Sequence, residues 1–456
     1  MMSINSVNPL NGEVIKTYPS HTTGQVIEKI GQTHRAFLQW RTTAFSERAD
    51  YMQRTAEILK QRKNELARLM AQEMGKPVKA GIGEIEKCAL VCEYYASNAE
   101  KFLKNEPVDT DGSKSYVTFN PLGVVLAIMP WNFPFWQTFR FLAPGLMAGN
   151  CGLLKHASNV PGCALAIEEV VRAAGFPADV FQTLLIGSDT VDQVIEHPLV
   201  KAVTLTGSTA AGIQVARKAA SLLKKTVLEL GGSDPYLILA DADLHHAAKV
   251  CAESRLINSG QSCIAAKRFI VVQSVASPFI SLFKEAMTSP KMGDPLDNTV
   301  DLGPLARRDL RDDLHDQVTK SIAKGAECIL GGTIPDGPGA FYPPTILMNV
   351  KEGMPAYHEE MFGPVASVIV VKDEEEAIRV ANDTSFGLGS AVFTTDVEKG
   401  ELIAATKLEA GCAFVNDYVR STPPLPFGGV KESGYGRELG TYGIKEFVNI
   451  KTVFVK

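Results

Sequence analysis

Cys263 ends the segment Asn258–Cys263, which reads Asn-Ser-Gly-Gln-Ser-Cys and follows a predicted helix. A thiol becomes a strong nucleophile only as the thiolate, so a reactive cysteine needs partial exposure and nearby donors or positive charge. A lone cysteine is more often a small core residue. Whether Cys263 does chemistry therefore depends on what the rest of the sequence places beside it.

Glu229 is the second candidate, because it stands between Leu228 and Leu230 at the end of a predicted buried strand. A buried carboxylate is costly unless it has a partner or a task. We consider two interpretations, an internal ion pair and a general base whose pKa is raised by apolar surroundings.

Asn132 lies between Pro130 and Pro134, at the carboxyl end of the strand that begins at Gly123. An amide held rigidly between two prolines is suited to donate a hydrogen bond to a developing oxyanion. A purely structural turn is the alternative.

The segment Thr206–Gly212 joins a predicted strand to the N-terminus of a helix. Free backbone N–H groups and the helix dipole suit such a place to a pyrophosphate. Ile213 stands where a Walker loop carries its lysine, so hydrolysis of a nucleoside triphosphate is disfavoured. No G-x-G-x-x-G fingerprint is present either.

The elements that must position these residues alternate between strand and helix. Predicted strands cover 124–128, 153–154, 181–186, 202–205 and 226–230, and predicted helices cover 134–149, 161–174, 190–196 and 208–223. This alternation indicates a doubly wound, parallel α/β sheet whose ligands bind beyond the carboxyl ends of its strands.

A second α/β run follows Gly231-Gly232. Its predicted strands cover 236–239, 269–272 and 365–371, and its predicted helices cover 244–257, 278–287 and 306–324. Ahead of both runs we predict a hairpin at 8–14 and helices at 23–40, 46–72 and 80–103.

The bulk composition excludes several classes of protein. A chain of 456 residues, 45% hydrophobic and 21% charged, predicts a globular protein of two or three domains. A net charge of -5 with no basic run argues against nucleic acid as a partner. Prolines and Arg140 interrupt the most apolar stretch, so no membrane span is expected. Eight cysteines are too sparse for a disulfide scaffold, and with no signal peptide recognised we expect a cytoplasmic location.

Cys88 and Cys92 lie one helical turn apart, but no further ligand stands near them in the sequence. We therefore predict helix packing there and no metal site.

The four segments, in this order and at these spacings, resemble the aldehyde dehydrogenase superfamily. The resemblance runs from Asn8-Pro9 to Gly434–Glu438 and includes Glu359–Pro364 and Pro426–Gly429. It implies a Rossmann-type cofactor domain (1–105 with 121–230), a second α/β catalytic domain (231–430) and a small β oligomerisation element (106–120 with 446–456). Such proteins are typically homodimers or homotetramers.

The resemblance also implies roles for individual residues. Cys263 is similar to the nucleophile, Asn132 with the Cys263 N–H to the oxyanion hole, and Glu229 to the base that activates water. The implied cofactor contacts are Lys155 at a ribose, Gly207, Ser208 and Trp131 at the pyrophosphate, and Glu360 and Phe362 around the nicotinamide. Glu438 is similar to a proton-relay glutamate, although Phe141 stands where that glutamate's lysine partner is expected.

Ser158 bears on the choice between NAD and NADP. It falls where many NAD-specific relatives carry a glutamate that repels a 2′-phosphate. A neutral serine removes that repulsion, so the resemblance implies that both cofactors are accepted.

Arg140, inside the apolar run Phe139–Leu142, is either paired with an internal acid or free to bind an anionic ligand. Its position and that of Ser421 resemble the pocket of bacterial NAD(P)-dependent succinate-semialdehyde dehydrogenases. A second pocket arginine of that group is replaced by Ile257, and Arg420 is a candidate to compensate. The implied substrate is an aldehyde with a distal carboxylate. Another short or uncharged aldehyde, a CoA-acylating relative and a non-catalytic protein on the same fold are the alternatives.

Overall fold

The structure is a computed structural model that describes residues 3–456. The chain begins with an antiparallel hairpin and three long helices. Their bounds are β1 Ser3–Val7, β2 Val14–Pro19, α1 Thr23–Trp40, α2 Phe45–Met74 and α3 Val78–Phe102. The apolar faces of α2 and α3 pack against each other, as their three- and four-residue spacing predicts.

A small three-stranded sheet joins two distant parts of the chain. It consists of β3 Glu106–Pro107, β4 Lys114–Pro121 and β18 Val448–Val455. The strand order is β18-β4-β3, and both pairs are antiparallel. The segments around 106–120 and 448–455, which the sequence analysis grouped together, are thus hydrogen-bonded partners.

The first α/β unit follows this element. Its strands are β5 Val124–Met129, β6 Cys151–His156, β7 Phe181–Thr183, β8 Val200–Thr206 and β9 Lys225–Glu229, and its helices are α4 Pro134–Met147, α5 Pro161–Ala173, α6 Val191–Glu196 and α7 Thr209–Ala220. These strands are parallel, and β17 Gly434–Tyr435 adds antiparallel to β9, so that the order is β17-β9-β8-β5-β6-β7. The order reverses between β5 and β8, which is where ligands bind in open α/β sheets.

The second unit is a seven-stranded sheet with the order β12-β13-β14-β11-β10-β15-β16. Its strands are β10 Pro235–Ile238, β11 Arg268–Val272, β12 Glu327–Leu330, β13 Thr345–Met348, β14 Val365–Val371, β15 Gly389–Phe393 and β16 Cys412–Val415. Its helices are α8 Leu244–Leu256, α9 Gln273–Thr288, α10 Arg308–Ala323, α11 Pro355–His358, α12 Glu374–Asn382 and α13 Val397–Thr406, and α14 Gly440–Lys445 precedes β18. The predicted α/β class with two largely parallel sheets is confirmed.

None of the helices within residues 3–456 is both long and apolar enough to cross a lipid bilayer.

Candidate active site

The backbone in front of Cys263 is strained. Asn258, Ser259 and Gly260 have φ values of 54°, 56° and 77°, so three consecutive residues are left-handed. Two of them are not glycine, and such conformations persist only where the surroundings enforce them. A Cβ on Gly260 would lie 2.2 Å from the carbonyl carbon of Gly363, so only glycine fits there.

Buried polar groups hold this strained turn in place. Asn258 Nδ2 donates to the backbone oxygens of Asn132 (2.8 Å) and Gln261 (3.1 Å), and an Arg255 N–H donates to the Gly260 carbonyl (2.6 Å). Strain enforced by such a network is typical of a functional site.

Lys267 fixes the chain on the other side of the nucleophile. Its fully buried ammonium donates to the backbone oxygens of Ser262 (2.8 Å) and Cys263 (2.7 Å), and lies 3.4 Å from a carboxylate oxygen of Glu360. Lys267 therefore connects the Cys263 backbone to Glu360, one of the expected cofactor residues. Lys267 was not singled out from the sequence, because nothing in the sequence shows which groups its amine reaches.

Burial raises the pKa of the Cys263 thiol to about 12, and the charges of Arg140 and Lys267 oppose that rise. In the free protein the thiol is thus protonated at neutral pH. A base must take the thiol proton before the sulfur can attack.

Asn132 follows β5 and reaches the same turn. Its Nδ2 donates to the Gln261 carbonyl at 3.0 Å, and its own backbone oxygen also accepts from buried Lys76 (2.8 Å). One N–H of the amide is left free for a further acceptor. The Cys263 N–H has no intramolecular acceptor within residues 3–456, so both expected oxyanion donors are available.

A cavity of about 260 Å³ brings most of the expected residues together. It opens at the switch point of the first sheet, between the ends of β5 and β8. Among its lining residues are Trp131, Asn132, Gly207, Ser208, Cys263, Glu360 and Phe362. Gln137, which the sequence analysis did not single out, also lines it and has an unpartnered Oε1.

Glu229 lies at the end of β9 and is 2% exposed. Its Oε1 has no hydrogen-bond partner within the described chain. Burial first, and then the charge of Glu438, raise the pKa of this carboxyl well above its ordinary value. Of the two interpretations drawn from the sequence, the unpaired base fits better than an ion pair.

Arg140 is paired with Glu438, at 2.6 Å between Nε and a carboxylate oxygen, and both residues are buried. This is the internal acid that the sequence left open as a partner for Arg140. Phe141 stands where the lysine partner of Glu438 was expected, and Arg140, one residue earlier, supplies the positive charge instead. The Phe141 ring packs edge-on against Phe447. Arg140 is not among the residues that line the Cys263 cavity, and its role as a substrate clamp stays a prediction.

The residues beyond β8 fit a dinucleotide. Ser208 caps α7 by accepting from the Ala211 N–H (3.4 Å), and the first N–H groups of a helix are otherwise free for an anion. The rings of Trp131 and Phe362 lie edge to face 5.8 Å apart on the cavity wall. The Asn132 amide, the Cys263 thiol and this aromatic wall thus line one space.

Lys155 and Ser158 lie at the end of β6, away from the thiol. Ser158 lines a separate cleft of about 680 Å³, together with residues of the N-terminal hairpin and Asp189. Burial lowers the pKa of Lys155, and the charge of Asp189 opposes that effect. This arrangement is compatible with the far end of a dinucleotide.

Ser421 and Arg420 lie outside the lining of the thiol cavity. Ser421 Oγ accepts from the indole N–H of Trp136 (2.9 Å) and from the ammonium of Lys87 (3.2 Å). Arg420 pairs with Asp417 at 2.7 Å and is half exposed. Lys87 was not singled out from the sequence, where it is one of many charged residues on an amphipathic helix.

Cys88 and Cys92 are fully buried in the packing of α3. In the described chain, no group of three or more His, Cys, Asp or Glu side chains is arranged to hold a metal ion.

Comparison with known sequences gives full-length matches. Residues 2–453 match the Aldehyde dehydrogenase family. A probable succinate-semialdehyde dehydrogenase [NADP(+)] of Synechocystis sp. is 50% identical over 454 residues and is covered completely, as is this chain. A succinate-semialdehyde dehydrogenase [NADP(+)] 1 of Mycobacterium tuberculosis is 47% identical over 457 residues, again with complete coverage of both chains.

Solved structures give the same result. The succinic semialdehyde dehydrogenase of Streptococcus pyogenes, in complex with NADP⁺, superimposes with a TM-score of 0.97 at 39% identity and 99% coverage of both chains. An NAD-dependent aldehyde dehydrogenase of Sinorhizobium meliloti gives a TM-score of 0.97 at 34% identity, covering 100% of this chain and 91% of that one. The family match over residues 2–453 and these full-length relatives show that this chain belongs to the aldehyde dehydrogenase family.

Proposed function

We propose that this protein oxidises an aldehyde to a carboxylate with NADP or NAD, using Cys263 as the nucleophile. The cavity at the switch point carries this proposal, because the thiol, the Asn132 amide and the cofactor wall of Glu360 and Phe362 line one space. A non-catalytic protein would have no need of the strained turn that presents the thiol.

In the first half-reaction the thiol loses its proton to solvent water, and its sulfur bonds to the aldehyde carbon. The carbonyl oxygen becomes an oxyanion, which accepts from the Asn132 amide and the Cys263 N–H. A nicotinamide cofactor held beside Glu360 and Phe362 would supply the hydride acceptor. As the C–H bond breaks, the C=O bond re-forms, and a thioester remains on Cys263.

In the second half-reaction water attacks the thioester, and the C–S bond breaks. Glu229 takes the proton of that water, because a carboxyl with a raised pKa is a stronger base than an ordinary one. The Cys263 thiol is regenerated, and the product leaves as a carboxylate.

We assign succinate semialdehyde as the preferred substrate. Relatives of that activity match the full length of this chain at 47% and 50% identity. Ser158 carries no charge that would repel a 2′-phosphate, so we expect NADP to be used and NAD to be accepted as well.

Steady-state assays with succinate semialdehyde, glutarate semialdehyde, butanal and benzaldehyde, each with NAD and NADP, test this proposal. We expect the highest kcat/KM with succinate semialdehyde. Cys263→Ala should retain its fold and cofactor binding and lose all oxidation. Oxidation by that variant, or a failure of the unaltered protein with every aldehyde, would overturn the proposal.

The small sheet supports a homodimer or homotetramer. One edge of β18 is unpaired, and Ile450 and Phe454 on that strand are 61% and 48% exposed. An open apolar edge of this kind invites a second copy. The cysteines occur as free thiols, which supports a reducing, cytoplasmic location.

A further inference from the structure

Lys87 of α3 belongs to a cluster of hydrogen-bonded side chains beside the active site. Its ammonium donates to Ser421 Oγ at 3.2 Å and lies 4.2 Å from the centre of the Trp136 ring. The Trp136 indole N–H donates to the same oxygen at 2.9 Å. Because Ser421 and Trp136 are both 3% exposed, α3, α4 and the loop after β16 hold these groups in a fixed arrangement.

The Lys87 ammonium has no carboxylate within ion-pair distance anywhere in residues 3–456. Three charged groups face it, and each already has a partner. Glu84 on the preceding turn is paired with Lys76 and accepts from the N–H groups at the start of α4. Arg140 is paired with Glu438, and Arg420 with Asp417.

A half-buried cation in cationic surroundings is an unfavourable arrangement unless an anion joins it. Burial first, and then the charge of Arg140, lower the pKa of Lys87 to about 8. The Ser421 hydroxyl accepts two hydrogen bonds and keeps its own proton to donate. An ammonium and a hydroxyl donor together match the two oxygens of a carboxylate.

The cluster and the thiol lie near the same residue of α4. Arg140 comes four residues after Trp136, and its charge acts both on the Lys87 ammonium and on the Cys263 thiol. The neighbouring Gln137 lines the cavity of Cys263. In a four-carbon semialdehyde the two end carbons are about 4 Å apart, from C–C bonds of about 1.5 Å. A short chain fixed at the thiol can therefore extend toward Lys87.

We infer that Lys87, together with Ser421, binds the distal carboxylate of the aldehyde and so determines the preference for an anionic substrate. The inference rests on the proposed function, since it concerns the same reaction. Lys87 then takes the place of the second pocket arginine, which is replaced by Ile257 in this sequence.

The test is Lys87→Met, with Lys101→Met as a matched control on the exposed end of the same helix. Lys87→Met should lower kcat/KM for succinate semialdehyde by roughly ten- to hundredfold, the usual effect of one charge-assisted hydrogen bond. The value for butanal should change by less than about twofold, and inhibition by succinate should weaken in parallel. Lys101→Met should change none of these quantities.

The pH profile is an independent readout. Since the ammonium is charged below its pKa of about 8, the ratio of kcat/KM for succinate semialdehyde to that for butanal should fall as pH rises through 8. Lys87→Arg should keep the ratio high to higher pH, because arginine stays protonated. Taking the ratio to butanal cancels the titration of groups that serve both substrates.

The outcomes separate the two proposals. Equal losses for both aldehydes in Lys87→Met, or a flat ratio across pH in the unaltered protein, would overturn the role of Lys87 while aldehyde oxidation stands. If no aldehyde is oxidised by the unaltered protein, the proposed function itself fails.

Discussion

At the scale of single residues, the most informative group is the carboxyl of Glu229. A buried acid with an unpartnered oxygen is destabilising, so its retention argues for a task in turnover. We assign Glu229 to the second of the two half-reactions, because only that step needs an activated water.

Glu229→Gln should separate those half-reactions. Formation of the thioester does not need activated water, so reduced cofactor should appear as a burst of about one equivalent and then stall. Rapid-mixing absorbance at the wavelength of reduced nicotinamide measures the burst, and mass spectrometry should find the acyl group on Cys263. Continued turnover at the unaltered rate would show that another residue is the base.

Ser158 permits a test of cofactor choice at one position. Ser158→Glu places a carboxylate where the 2′-phosphate of NADP is expected, and such a like-charge contact disfavours binding. We expect kcat/KM for NADP to fall roughly tenfold to hundredfold while that for NAD changes little. Ser158→Gln is the uncharged control. Equal losses for both cofactors in the glutamate variant would mean that the ribose pocket lies elsewhere.

At the scale of elements, sequence patterns located the long early helices well, whereas helices α12 and α13 and several late strands were not predicted. The helix predicted at 23–40 has those bounds, and the one predicted at 46–72 covers Phe45–Met74, because an amphipathic period is a local signal. Strands β15 and β16 were not predicted. They are four or five residues long, contain Gly389 and Cys412, and are fixed only by pairing with distant strands.

The same contrast holds within the site. Cys263, Asn132 and Glu229 were singled out because each has unusual neighbours in the sequence and matches a family motif, and their roles stay predictions. Lys87 and Lys267 were not, since their roles depend on which backbone and side-chain groups the fold brings to their amines. Arg140 was noticed as an arginine in an apolar run, but only the structure showed its partner.

The Arg140–Glu438 pair links α4 to the segment after β17, and its removal should act on the whole site. Arg140→Ala leaves Glu438 buried and unpaired, which typically costs about 3–5 kcal/mol. We expect a lower Tm and parallel losses of kcat/KM for succinate semialdehyde and butanal, because the charge of Glu438 also acts on Glu229.

Glu438→Gln and the double variant complete a mutant cycle that isolates the energy of the pair. A loss confined to the semialdehyde, with Tm unchanged, would instead assign Arg140 to the substrate carboxylate, as its position in the sequence suggested.

At the scale of the whole molecule, the active site lies between two sheets that are formed by separate stretches of the chain. The cysteine turn comes just before β11 of the second sheet, whereas Asn132 and Glu229 end strands of the first. Hydrogen bonds from Asn258 Nδ2 to the Asn132 carbonyl, and from Asn132 Nδ2 to the Gln261 carbonyl, join the two units. Their relative position is therefore part of the catalytic geometry, and any assembly that stabilises it should favour activity.

The exposed edge of β18 is where such an assembly is expected. Ile450 and Phe454 lie an even number of residues apart, so they project from the same face of the strand. Replacing both with glutamate puts charge on this apolar face, beside the open edge of β18, without altering the pairing of β18 with β4. The mass in solution, measured by light scattering after size-exclusion chromatography, should fall from a multiple of the chain to that of one chain.

Leu223→Asp is the matched control, because Leu223 is 96% exposed at the end of α7 and has a left-handed φ of 54° that aspartate tolerates. This variant should keep the mass of the unaltered protein. If the double glutamate variant keeps that mass too, the copies associate through another surface. If the unaltered protein is itself a single chain in solution, the β18 edge has no partner copy, and the apolar side chains of Ile450 and Phe454 stay exposed to water.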